Sequence, residues 1–263
     1  MPTVSDVERA LFDWAPRTLA EDWDNVGLLC GRENREVTRI LVALDPFEDV
    51  CREAEERGAE LIVTHHPLIF VAPHAVTDRD SVGRCILRLA KHDVAAINMH
   101  TNLDCAVGGV NDVLARTLGL ADVHVIGPKK TDAQGRECGL LRAGTIKETP
   151  FTEFAKHVKS TLSCAGIRCV DAGRPVHRVA VGGGACGSEL PDVADAGCDT
   201  FVTADLKYNQ FWDAHDLGIN IIDAGHFETE NPVCAAIAAY LRGKFPEIAV
   251  LLSEKHADPI KFL

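Results

Sequence analysis

In three distant segments of the chain, side chains that can bind metal follow directly after an apolar run. These are His65 and His66 after residues 61–63, His100 and Asp104 after residues 95–99, and His226 and Glu230 after residues 219–225. In open α/β sheets, ligands bind outside the carboxyl ends of the strands, so we expect these side chains at one edge of a sheet. Histidine and carboxylate ligands suit divalent transition metals.

The number of candidate ligands exceeds what one zinc ion needs, which predicts two metal ions. Asp104 and Glu230 are the candidate bridging ligands, because a carboxylate has two oxygens and an imidazole cannot bridge in this way. His100 has three open roles: a ligand, a partner that orients a ligand, or a group that transfers protons. For each residue the alternative is a structural one, namely a hydrogen-bonded histidine or a carboxylate at a helix start.

Local geometry restricts two of these positions. Successive strand residues point to opposite faces, so His65 and His66 can share a site only if the chain turns after the strand, as Pro67 favours. Asn231 and Pro232 are typical of a helix start, so we expect Glu230 in a loop just before that helix rather than on a helix with His226.

Composition excludes several classes of protein. The 263 residues carry a formal net charge of −12 and a pI near 5.3, so general binding to nucleic acid is not expected. No apolar run is long enough to span a membrane, and the first residues do not form a signal peptide. Ten cysteines without a CxxC pair indicate reduced, mostly buried thiols and a cytoplasmic location.

Apolar runs alternate with helical patterns, which predicts parallel βαβ units. We expect strands at 39–44, 60–64, 94–99, 140–146 and 167–171, and helices at 3–13, 46–56, 81–91 and 150–162. Asn111 or Asp112 is expected to cap a further helix that Gly119 closes. Residues 40–66 align without a gap on residues 179–205, which suggests a duplicated half.

Two other stretches have open interpretations. Residues 181–188 are rich in glycine and follow a strand, so they form either a tight βα turn, which we favour, or an anion site. Lys207 either holds a substrate phosphate or is a solvated surface charge.

Several ordered blocks resemble the NGG-interacting-factor-like dinuclear-metal proteins, often labelled GTP cyclohydrolase I type 2 homologues. The blocks are DNVGLLCG at 24–31, IVTHHPLIF at 62–70, HTNLDCAVGGVND at 100–112, GGGACGS at 182–188 and DAGHFETENP at 223–232. The resemblance implies that His65, His66, Asp104, His226 and Glu230 are the metal ligands. The chain departs from the family pattern at Ala204, usually glycine, and at Asn209, usually histidine.

The resemblance also implies two linked α/β modules with mixed and parallel sheets and hexameric rings. We expect pseudo-duplicated halves with a metal site in the cleft between them. The expected division is a first module at 1–126, a connecting segment at 127–178 and a second module at 179–263.

The expected function is that of a dinuclear metal-dependent hydrolase. It would use two divalent ions of Zn, Fe, Mn, Co or Ni, with His100 transferring protons. A nucleotide or a small phosphorylated metabolite is the expected substrate class, and cyclohydrolase action on GTP is one instance. The alternative is a non-catalytic oligomer that stores, delivers or senses metal.

Overall fold

A computed structural model describes residues 1–263 as a mixed α/β protein. Its helices are Val4–Trp14 (α1), Glu48–Arg57 (α2), Ser81–Lys91 (α3), Thr101–Cys105 (α4), Val110–Thr117 (α5), Phe151–Thr161 (α6), Leu190–Asp195 (α7), Tyr208–Asp216 (α8), His226–Glu230 (α9) and Pro232–Lys244 (α10). Its strands are Gly27–Cys30 (β1), Arg39–Ala43 (β2), Leu61–Thr64 (β3), Ala95–Asn98 (β4), Ala121–Ile126 (β5), Lys130–Thr131 (β6), Glu137–Cys138 (β7), Leu141–Thr149 (β8), Arg168–Val170 (β9), Val176–Val181 (β10), Thr200–Thr203 (β11), Asn220–Asp223 (β12) and Ala249–Leu252 (β13).

The chain forms two compact units, each built from two stretches of sequence. The first unit contains Met1–Leu103 and Val233–Ala257, and the second contains Asp104–Pro232 and Asp258–Leu263. These bounds differ from the expected division, because the expected connecting segment supplies β8 and α6 to the second unit. The difference arises from strand pairing over long distances in the chain, such as that of β13 with β2, which local patterns do not reveal.

The first unit contains a five-stranded sheet in the order β1-β4-β3-β2-β13. All neighbouring strands are parallel except β1, which runs antiparallel to β4. Leu41 and Ile62 of the sheet pack with Val50 of α2 and Leu89 of α3 in one buried cluster. The strands are buried along nearly their whole length because helices cover the sheet, as in other parallel sheets.

The second unit contains a six-stranded sheet in the order β5-β8-β10-β11-β12-β9 and the short hairpin β6-β7. Strands β10, β11 and β12 are parallel, while β5, β8 and β9 pair antiparallel. One buried cluster contains Phe154 and Val179, and another contains Phe201 and Leu190. Each unit therefore has its own apolar core.

The two units repeat the same three-stranded arrangement, as the ungapped alignment suggested. In the first unit Ile40 pairs with Leu61 and Val42 with Val63; at the aligned positions Val179 pairs with Thr200 and Val181 with Val202. The next strand is again parallel in both cases, with β4 beside β3 and β12 beside β11. The halves are therefore pseudo-duplicated in register as well as in element order.

The expected helices α1, α2, α3 and α6 are present, and the ends of α1 and α2 are well defined. Thr3 caps α1 in a reciprocal capping box with Asp6, and Gly58 ends α2 in the left-handed conformation with φ +62°. The expected cap of α5 was wrong: the helix begins after Gly109, and Asn111 lies inside it. Asn111 instead donates its side-chain amide to the backbone carbonyls of Leu140 and Asp104.

No helix has the length and apolarity needed to cross a membrane. The cysteines form no disulfide, and eight of the ten are buried, as expected for structural thiols. Burial raises the pKa of several of these thiols, which favours their neutral form.

A buried carboxylate of α2 fixes the C-terminal segment to the first unit. Glu53 is 3% exposed, accepts a hydrogen bond from the backbone of Glu254 at 3.0 Å, and is also bonded by Ser253 and Arg57. Burial alone would raise the pKa of Glu53, but these donors outweigh burial and hold the pKa below its ordinary value of 4.5. The ionised carboxylate is thus favoured in the folded state.

We expect Glu53→Gln to lower the free energy of unfolding by about 2 kcal/mol at neutral pH, since a charged buried acceptor is lost. Because the pKa is depressed in the folded state, the wild-type advantage is present above pH 4.5 and decreases as the pH falls below it. Urea denaturation at several pH values measures this, with the exposed Glu56→Gln on the same helix as control. Equal stability of the Glu53→Gln and Glu56→Gln variants at neutral pH would contradict the assignment.

Candidate functional site

His65, His66 and His100 form one group, here called the first ligand group, at the carboxyl ends of β3 and β4. His65 and His66 directly follow β3, and His100 lies two residues after β4. The two strands are parallel neighbours, so their ends meet at one edge of the sheet. One ring nitrogen of each histidine lies within 4.8 Å of the others.

The turn expected after β3 is present and brings adjacent imidazoles to one place. The hydroxyl of Thr64 donates to the carbonyl of His66 at 2.7 Å, and the amide of His66 donates to the carbonyl of Leu44 at 2.9 Å. The His65 and His66 rings consequently lie with centroids 4.9 Å apart, with His65 fully buried and His66 half-buried.

Each imidazole of this group is oriented through its Nδ1 atom. His65 Nδ1 lies 2.8 Å from the Met99 carbonyl, His66 Nδ1 lies 2.7 Å from Asp45, and His100 Nδ1 lies 2.8 Å from Asp24. A proton on Nδ1 makes Nε2 the atom with a lone pair for a metal ion. Carboxylate or carbonyl partners on the opposite nitrogen are usual for metal-binding histidines.

Asp24 is an anion in this arrangement. Burial opposes its ionisation, but hydrogen bonds from His100 and from Thr101 outweigh burial and hold the pKa of Asp24 well below its ordinary value. The Thr101 amide donates to Asp24 at 3.0 Å, at the start of α4. A fixed negative charge thus lies against Nδ1 of His100 and favours a proton on that nitrogen.

Asp104, His226 and Glu230 form a second ligand group, which lies in the second unit. His226 Nε2 lies 3.0 Å from a carboxylate oxygen of Glu230, and a ligand oxygen of Glu230 lies within 4.8 Å of one on Asp104. His226 is oriented in the same way as the other histidines, since its Nδ1 lies 2.7 Å from Asp205.

The expectation that Glu230 lies in a loop was wrong. Residues His226–Glu230 form the short helix α9, which Asn231 continues in helical geometry before Pro232. Gly225, with φ +90°, turns the chain sharply after β12, and the Thr229 hydroxyl donates back to the Gly225 carbonyl at 2.9 Å. The i, i+4 spacing then places His226 and Glu230 on one helix face.

The glycine-rich stretch is a tight turn against Glu230, as we favoured, and the amides of Gly183 and Gly184 have protein partners. The amide of Gly183 donates to Asn111 at 2.7 Å, and that of Gly184 donates to Thr229 at 3.0 Å. A Cβ at Gly184 would lie 2.2 Å from Glu230 Oε1 and 3.1 Å from His226 Nε2. Glycine is therefore needed for close packing against two candidate ligands.

Cys186, at the end of this stretch, is a buried neutral thiol. Burial first, and then the carboxylates of Asp104 and Glu230, raise the pKa of Cys186 well above its ordinary value. Its Sγ donates to the carbonyl of Gly183 at 3.2 Å. The second ligand group therefore presents nitrogen and oxygen ligands rather than thiolate.

A buried arginine fixes the chain that follows Asp104. Arg142 is 2% exposed, forms an ion pair with Asp112, and donates to the carbonyls of Cys105 and Ala106 at 3.2 Å each. Asn111 adds a longer contact to the carbonyl of Asp104 at 3.3 Å. Both residues hold the end of α4 in place.

Sequence reasoning did not identify the carboxylates that orient the histidines. Asp24 and Asp45 lie far from their histidines in the chain, although Asp24 opens one of the blocks that resemble the family. Asp205 was detectable in the internal alignment, where it falls on His66. Ala204, a departure from the family pattern, keeps a buried backbone position, and its amide donates to the Gly184 carbonyl at 2.9 Å.

These features define an α/β protein with two main sheets and with histidine and carboxylate groups that could bind metal. The family model described as Duf34/NIF3 (NGG1p interacting factor 3) matches residues 2–259, and the chain belongs to this family.

Relatives and solved structures agree with this assignment. A protein named GTP cyclohydrolase 1 type 2 homolog from Clostridium perfringens is 34% identical over 263 residues and covers 99% of both chains. One of the same name from Streptomyces coelicolor is 38% identical over 92% of this chain and 86% of its own. A crystal structure of a Bacillus cereus protein related to NIF3 has a TM-score of 0.92 at 26% identity and covers 100% of this chain and 99% of its own.

We expect Gly184→Ala to destabilise the protein more than Gly197→Ala. Both glycines have positive φ, +64° and +69°, so both variants bear the left-handed strain of about 1–2 kcal/mol. Only at Gly184 does the new Cβ meet another residue, which adds an overpacking cost of about 1–3 kcal/mol. Denaturant unfolding of the two variants measures the difference, and equal losses of stability would show that Glu230 moves away without cost.

Proposed function

We propose that this chain is a dinuclear metal-dependent hydrolase whose ligands are His65, His66, Asp104, His226 and Glu230. The observation that carries the proposal is the common orientation of the four site histidines. Nδ1 of each lies within 2.8 Å of a carboxylate or carbonyl oxygen, so that Nε2 is the metal-binding atom. A histidine with a purely structural role does not need a hydrogen bond on Nδ1 in particular, so the repetition of this bond at four histidines favours metal binding.

The donor set fits divalent transition metals. Imidazole nitrogen and carboxylate oxygen suit Zn, Fe, Mn, Co or Ni, and the Cys186 thiol beside these carboxylates is kept neutral. Glu230 is 4% exposed and Asp104 is 6% exposed, and two buried carboxylates this close repel each other unless cations compensate them. Buried paired carboxylates therefore favour metal binding over a purely structural role.

Chain connectivity supports a shared function for the two ligand groups. Asp104 follows His100 by four residues, which span at most about 14 Å even when fully extended. The first group supplies two proposed ligands besides His100 and the second supplies three, and each number is below the four ligands of a closed zinc site. Used together, the groups supply enough ligands for two ions.

The proposed chemistry is hydrolysis. Divalent ions in such a site supply Lewis acidity, which polarises a substrate oxygen and acidifies a water molecule. His100, paired with the buried anion Asp24, is positioned to accept and return a proton through Nε2. Asp24 acts as a positioning residue that fixes the His100 tautomer.

A nucleotide or a small phosphorylated metabolite is the proposed substrate class. The names of the relatives support ring opening of GTP as one instance. An acidic protein binds such an anion only where cations offset its own charge. A homohexameric state and a cytoplasmic location stay predictions.

We expect about two metal ions per chain after loading with Zn²⁺ and removal of excess metal. His65→Ala and Glu230→Gln each remove one proposed ligand and should lower the ratio of metal to protein to one or below. Elemental analysis measures this ratio, with His215→Ala as control because His215 is exposed and belongs to neither ligand group. Wild-type metal content in the His65→Ala and Glu230→Gln variants would refute the ligand assignment.

We expect His100→Ala to lower turnover of a nucleotide substrate by roughly 10²–10⁴-fold, the usual contribution of a general acid–base group, with metal content unchanged. Asp24→Asn should also lower turnover, because it weakens the hydrogen bond that orients the His100 imidazole. A screen of Zn²⁺-loaded protein against nucleotides and phosphoesters provides the assay. Loss of metal in the His100→Ala variant would make His100 a ligand, and exchangeable metal without turnover of any compound would favour a metal carrier.

A further inference from the structure

Two large aromatic side chains are exposed beside the first ligand group. Trp23 is 61% exposed and Phe70 is 53% exposed. Their ring centroids lie 5.8 Å apart, and each ring lies close to the His100 ring, at 6.1 and 6.2 Å. Both contacts with His100 are edge-on, so the aromatic pair flanks the imidazole without covering it.

Hydrogen bonds anchor the backbone next to Trp23 and the backbone next to Phe70. Asp24, next to Trp23, is bonded to His100 and Thr101, and the amide of Glu21 donates to the Thr101 hydroxyl at 2.9 Å. The side-chain amide of Asn25 donates to the carbonyl of Ile69, next to Phe70, at 2.7 Å. The two aromatic residues are therefore held by one hydrogen-bonded network.

We propose that Trp23 and Phe70 form a stacking surface for the planar ring of the substrate. The inference rests on the proposed function and narrows its substrate to a compound with an aromatic base, such as a purine nucleotide. Exposed aromatic faces are costly to leave in water, and any base can stack on them without specific hydrogen bonds. The acidic Asp22 and Asp24 beside Trp23 make this end of the site a place for the uncharged ring rather than for the phosphates.

The test compares guanosine 5′-monophosphate with ribose 5-phosphate, which has sugar and phosphate but no base. Zn²⁺-loaded wild-type protein should bind the nucleotide about 5- to 150-fold more tightly by calorimetry, the range that stacking on one aromatic residue provides. Trp23→Ala and Phe70→Ala should each reduce this ratio, and Trp23→Phe should keep most of it.

Trp212 offers a matched control. It is 53% exposed and lines a separate cavity of about 480 Å³ with Cys169 and Phe211. Trp212→Ala should leave the binding ratio unchanged. In fluorescence titrations of the Trp212→Phe variant, the nucleotide should quench the emission of Trp23. In the Trp23→Phe variant the nucleotide still binds, but no quenching is expected because the Trp23 indole is absent.

The outcomes separate this inference from the proposed function. A binding ratio near one in wild type, or a ratio that Trp23→Ala and Phe70→Ala leave unchanged, overturns the stacking surface even when turnover is present. A base-dependent ratio that both variants reduce supports the surface even when no nucleotide is hydrolysed. If Trp23→Ala changes only the oligomeric state, the aromatic pair is a subunit contact and the inference is wrong.

Discussion

The hydrogen bond on Nδ1 of each site histidine is the constraint on which the remaining features of the site depend. An imidazole on a free side chain rotates and exchanges tautomers, whereas the oxygens of Met99, Asp45, Asp24 and Asp205 fix both properties. Three of these partners are carboxylates on other segments, so the orientation of the rings depends on the tertiary fold. The strands position the backbone, and these oxygens decide which nitrogen can act.

The duplicated halves use equivalent positions for different purposes. The position after β3 holds His66, a proposed ligand, while the aligned position after β11 holds Asp205, which orients His226. Likewise Asp45, the partner of His66, aligns with Gly184, where a side chain would collide with Glu230. One strand–turn–helix scaffold thus supplies a ligand in one half and a supporting anion or an open space in the other.

The sequence predicted the buried strands and the ligand-bearing segments because continuous apolar runs are strong local patterns. Strands β2, β3 and β4 and helix α3 lie close to their expected bounds. Strands β1, β5 and β13 lie at sheet edges and were not detected. Strands β1 and β13 are apolar but only four residues long, and β5 mixes polar and apolar residues. Strands β1 and β13 pair with strands that are distant in the chain, and short-range periodicity does not reveal such partners.

Local signals also misled where tertiary contacts outweighed them. Asn231-Pro232 indicated a helix start, yet helical geometry already begins at His226, after Gly225, where the Thr229 hydroxyl donates to the Gly225 carbonyl. Asn111 looked like a cap, but its amide joins Leu140, Gly183 and the end of α4. The orienting carboxylates escaped detection because single aspartates are common, and only the fold distinguishes Asp24 from its neighbours.

The pairing of β13 with β2 has a consequence for how the protein is made. During synthesis, residues 1–103 leave the ribosome first, but their sheet lacks its last strand until residues 249–252 emerge. Nearly all of the second unit is translated in between and has a full set of strands earlier. Throughout that interval the edge of β2 is open to pairing with other chains, which makes the nascent first unit the part most exposed to aggregation.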